Sequence, residues 1–83
     1  MKREDEPHYA DAVWEMFRLR HQPHRLMASN SEGMLIRRWI DANIPLPIVE
    51  RGIMETTGKP GTLMACERPV ERAFSYYRQA MSL

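Results

Sequence analysis

Few residues in this chain have side chains suited to chemistry, and their spacing decides what each can do. His21 and His24 stand three apart in "HQPH", a spacing that puts two imidazoles on one helical turn and can begin a metal site. Pro23 breaks a helix between them and no third ligand lies within local reach, so they read as two exposed histidines of a basic loop. Cys66 is the single cysteine, which excludes an internal disulfide and a Cys-based zinc cluster. A thiol nucleophile needs a base and an orienting group beside it. Nothing in the sequence points to either, and Cys66 reads as a small core residue. The carboxylates fall at helix-surface spacings: Glu67 four before Glu71, Arg68 three before Glu71, Arg37 four before Asp41. Such spacing suits solvated faces rather than an acid–base pair. "TTGKPGT" contains a Gly-Lys pair but lacks the GxxxxGK[ST] phosphate loop. The expectation is a protein that is not an enzyme and uses no metal or cofactor.

What does rise above background is a charge asymmetry hidden in the net charge of +1. Residues 1–17 carry Lys2 and Arg3 against Glu4, Asp5, Glu6, Asp11 and Glu15, a balance of −3. Residues 18–38 carry Arg18, Arg20, Arg25, Arg37 and Arg38 against Glu32 alone, a balance of +4. Ten of the twelve cations are arginine, whose planar fork matches phosphate oxygens and stacks on bases. These five arginines are therefore candidate nucleic-acid contacts, with His21 and His24 assisting. Arg37 and Arg38 lead the set, and Lys59 and Arg68 join it from either side of the loop before the last helix. The competing reading is a solvated face that neutralises the acidic start of the first helix. The pI of about 8.0 falls below the ~9 of dedicated nucleic-acid binders, which favours that reading.

These residues need a frame, and 83 residues make one small domain. A hydrophobic content of 43% with 28% charged residues places it among globular proteins. No apolar run approaches the ~20 residues needed to cross a bilayer, so no membrane role is expected. "MKREDEPHYA" lacks the apolar centre of a secretory signal, which makes a cytoplasmic location the expectation. Residues 1–6 read as a flexible lead-in and 7–83 as a single helical domain.

Four helices follow from the apolar spacing, at about 7–21, 30–42, 46–57 and 69–81. In the first, Tyr9, Val13, Met16, Phe17 and Arg20 form one stripe that Trp14 widens, and Pro23 stops the helix. Ser29 and Glu32 fit a capping box ahead of a face made by Leu35, Ile36, Trp39 and Ile40. Asn43 suits a left-handed helix end, and "NIPLP" reads as a tight corner whose prolines give up no useful donor at a helix start. Leu46, Val49, Ile53 and Met54 line the third helix, and Gly52 admits a close neighbour. Leu63, Met64 and Cys66 read as a half-buried turn. Val70, Ala73, Phe74, Tyr77 and Met81 then give the cleanest stripe in the chain, with Tyr76 at the core edge. The fold expected is an all-α four-helix bundle. Seven methionines and the pair Met81 and Leu83 suggest an adaptable apolar surface for a partner, a homodimer included.

Ser29, Glu32, Trp39, "NIPLPIVERGI" (43–53) and "TLMACERPVERAF" (62–74) also carry a resemblance. The stretch from Ser29 resembles a helical module of phage, plasmid and integrated-element replication proteins. It is distantly similar to the C-terminal module of DnaD-type primosome proteins, which bind DNA and help load the replicative helicase. Asn43 stands where that family favours glycine, and Ala65 where it favours tyrosine. The resemblance implies an accessory protein of DNA replication or of a mobile element, binding nucleic acid, a replication protein or both. It carries over no catalytic residue. The reading from the residues alone keeps an alternative open: a small protein–protein adaptor or inhibitor of phage type, working through an apolar, Met-rich surface.

Overall fold

The computed structural model describes residues 6–82. It contains α1 (Glu6–His21), α2 (Asn30–Asp41), α3 (Leu46–Glu55), a 3-10 turn (Leu63–Cys66) and α4 (Glu67–Met81), with no strand among the described residues. This is the all-α bundle the apolar spacing calls for. The lead-in expected over residues 1–6 lies outside the described residues apart from Glu6, which opens α1. None of these helices is long and apolar enough to cross a membrane.

Tyr9, Val13, Trp14 and Phe17 bury the inner face of α1, while Arg20 points outward. The Tyr9 hydroxyl donates to the Ile44 carbonyl at 2.6 Å, pinning α1 to the corner before α3. Its burial pushes the phenol up to about 12. The other end of α1 is tied by side chains. Trp14 Nε1 donates to the Leu26 carbonyl at 3.3 Å and Gln22 Nε2 to the Pro60 carbonyl at 2.8 Å. His21 is half-buried rather than loop-exposed: its ring packs 5.6 Å from Phe17, and Nε2 lies 3.0 Å from the Ile53 carbonyl. A carbonyl only accepts, so this contact requires the proton on Nε2.

The corner at "NIPLP" closes α2 and opens α3 in five residues. Asn43 takes φ 59°, the Asn43 N–H donates to Ile40 and the Ile44 N–H to Trp39, which together make a Schellman end. Pro45 is the N-cap of α3 and Pro47 falls in its first turn, where a missing N–H leaves no gap. Gly52 then allows α3 to lie directly on α4: a Cβ there would stand 2.5 Å from Val70 Cα.

Three expectations need correction. α3 ends at Glu55 rather than near residue 57, because Thr56 leaves the helix and its hydroxyl donates back to the Gly52 carbonyl at 2.9 Å. α4 begins at Glu67 rather than at Pro69, continuing without a break from the 3-10 turn. Burial also differs from the stripes. Leu63 and Cys66 are fully buried whereas Met64, Met54, Tyr77 and Met81 reach solvent, and Tyr76, expected at the core edge, is 65% exposed.

Candidate functional site

Four of the candidate cations, Arg18, Arg25, Arg37 and Arg38, are each paired with a carboxylate. Arg18 turns back along α1 to Glu15 at 2.7 Å and reaches the Pro23 carbonyl at 3.4 Å. Arg37 pairs with Asp41 one turn on, at 3.5 Å, and Arg38 crosses to Glu67 at the start of α4, at 2.8 Å. Arg20 lies in a different place, on the rim of a groove between α1 and α3. Arg20, Lys59 and Arg68 are exposed and make no ion pair among the described residues.

Arg25 is taken up by the fold. Its guanidinium forks onto Glu32 at 2.6 and 2.7 Å, donates to the Gly61 carbonyl at 3.2 Å and sits 5.0 Å over the Trp14 ring. Glu32 is fully buried, and beyond its capping box with Ser29 it accepts the Leu63 backbone N–H at 2.9 Å. Burial by itself would raise this carboxyl. The Arg25 fork and the N–H groups of Ser29 and Leu63 outweigh it and hold the group down at about 2. Arg25 and Glu32 therefore join the α1–α2 connector, the start of α2 and the 3-10 turn.

Cys66 is fully buried, its thiol pushed up by burial against a hydrogen bond with Thr56, and it offers no ready thiolate. His24 is exposed. Among the described residues no three His, Cys, Asp or Glu side chains gather as metal ligands.

None of the candidate cations lines the groove between α3 and α4. α4 has 15 residues and α3 has 10, so at ~1.5 Å per residue α4 is about 7.5 Å the longer. Val70 and Ala73 are buried, but Phe74 is half-buried and Tyr77 and Met81 are 37% and 70% exposed. Phe74 and Tyr77 stack at 6.3 Å, and the Arg78 guanidinium lies 5.6 Å over Phe74. Beside this face a groove of about 350 Å³ is walled by Ile48, Arg51 and Glu55 of α3 and by Ala73, Tyr76, Tyr77 and Ala80 of α4, with Arg72 at its edge. Arg51 and Glu55 approach to 3.8 Å, whereas Arg72 has no ion-pair partner among the described residues. The sequence signal for this groove is the Tyr76-Tyr77 pair, in which adjacent aromatics cannot both face one core.

In comparisons with known proteins, no family model, no curated protein and no solved structure matches the chain.

Proposed function

We propose that this chain is a non-enzymatic accessory module that docks a protein partner through the α3–α4 groove. The single observation behind this reading is that Tyr76 and Tyr77 of α4 are left in solvent along a groove shared with Ile48 of α3. Tyrosine and arginine dominate the energetics of protein interfaces, and this groove offers two tyrosines with Arg51 and Arg72 at hand. The chemistry that fits is an amphipathic helix, its apolar stripe laid in the groove and carboxylates placed against Arg72. The DnaD-like resemblance makes a replication protein of a mobile element the proposed class of partner. A titration with a synthetic helix carrying a leucine stripe flanked by glutamates tests the reading. Binding that Tyr76→Ala/Tyr77→Ala weakens about tenfold or more, with little salt dependence, supports it. Equal affinity in that variant would count against it.

Nucleic-acid docking is a second reading, favoured by Arg20, Lys59 and Arg68, which no carboxylate among the described residues neutralises. Its test is fluorescence anisotropy with single- and double-stranded oligonucleotides at two salt concentrations, comparing the chain with Arg20→Ala/Lys59→Ala/Arg68→Ala. Phosphate contacts would make affinity fall steeply with salt, and the variant would flatten that slope by about one for each phosphate it no longer neutralises. No binding at low salt would retire this reading.

A further inference from the structure

α3 borders a second groove on its other flank. Met16, Leu19 and Arg20 of α1 face Glu50, Ile53 and Met54 of α3 across an opening of about 280 Å³. Leu19 and Met54 are 63% and 51% exposed, while Ile53 beneath them belongs to the core. The groove therefore extends the core outward rather than sitting apart from it. Its charges are the informative part. Arg20 and Glu50 line the same groove with opposite signs, yet neither forms an ion pair with the other or with any other described residue.

A groove built for an acidic or a basic partner would carry charges of one sign. A twofold contact between identical chains sets one patch against itself, so that patch must be its own complement. An apolar strip holding one cation and one anion, both unpaired among the described residues, meets this condition. We infer that the chain forms a twofold homodimer through the α1–α3 groove. Leu19 and Met54 pack about the axis, and Arg20 of each copy meets Glu50 of the other. This contact shares no lining residue with the α3–α4 groove, so a dimer leaves that groove open to its own ligand. Six residues form a patch smaller than the ~800 Å² per partner of a standard interface, so association is weak and set by concentration.

Sedimentation velocity of the full chain, from low micromolar to near-millimolar concentration, tests this. Wild type should move from monomer to dimer. Arg20→Glu and Glu50→Arg should each weaken dimerisation at least about tenfold, since each sets like charges face to face. Both positions are exposed, and circular dichroism would check that each variant keeps its fold. The decisive arm mixes the two single variants in equal amounts, which opposes a carboxylate to a guanidinium at one reciprocal contact and a guanidinium to a carboxylate at the other. Recovery of the dimer in the mixture supports the proposal, because only contact between chains can produce it. A wild type that stays monomeric throughout would overturn it. So would a dimer indifferent to both reversals, or a mixture no more associated than its parts.

Discussion

Glu32 shows how far one residue can exceed its local role. Spacing from Ser29 identifies it as a capping-box carboxylate, and the two reciprocal hydrogen bonds are present. The Leu63 N–H is 31 residues away and Arg25 seven before it, so neither bond is written in that four-residue pattern. For the same reason Arg25 looks like a free cation in the sequence and is a half-buried, paired one in the fold. Glu32→Ala removes the carboxylate from Arg25 and from two backbone donors, and should cost about 3 kcal/mol, measured by urea unfolding. The pH dependence has a definite sign. The folded carboxyl stands at about 2 against an ordinary 4.5, so its contribution is complete above 4.5 and is lost as pH falls toward 2. An acid titration of wild type should show stability falling through that window, and Glu32→Gln should flatten it there. An unchanged acid limb in Glu32→Gln would assign the loss to other carboxylates.

At the scale of elements, the chain was legible wherever local chemistry fixed a boundary. Asn43, Pro45 and Pro47 specify the α2–α3 corner through backbone conformation and missing donors, and those properties do not depend on what lies around them. Burial was less legible. The stripe through Val70, Phe74, Tyr77 and Met81 states which face of α4 is apolar, but how far α3 runs alongside it, from the corner after Asn43 onward, decides how much of that face is covered. The other end of α3 stops at Glu55, where Thr56 leaves the helix and bonds back to Gly52, a contest that helix periodicity does not record. The glycines separate packing from propensity. Gly33, in α2, has no atom within 4 Å of an added Cβ, so Gly33→Ala should stabilise the chain by about 0.5–1 kcal/mol through helix propensity alone. Gly52→Ala would gain the same propensity yet drive its methyl into the Val70 backbone, and should cost about 2 kcal/mol or more. Thermal melts of the pair compare the two directly. If Gly52→Ala proved neutral, the α3–α4 approach would be looser than the 2.5 Å contact requires.

At the scale of the whole molecule, α3 has a groove on either flank, and the arginines are spread among separate neighbours. The charge balance of residues 18–38 suggests one basic surface, but linear distance does not say which carboxylate waits across a helix interface. Glu67 meets Arg38, and Glu32 meets Arg25. Tyr76 and Tyr77, by contrast, share one groove with Ile48. Tyr76→Ser should change folding stability by less than ~0.5 kcal/mol, being a surface position, while weakening a docked helix. A large loss of stability would mean that this face is core and is not kept for a partner. The central claim is that the working surface is the α3–α4 groove. Its most direct test is a nuclear magnetic resonance titration of the full chain, first with the glutamate-flanked amphipathic helix and then with a duplex oligonucleotide. The helix should shift the amides of Ile48, Arg51, Ala73, Tyr76, Tyr77 and Ala80, and the oligonucleotide should leave them in place. Shifts gathered on residues 18–38 with the oligonucleotide, and none with the helix, would contradict the claim.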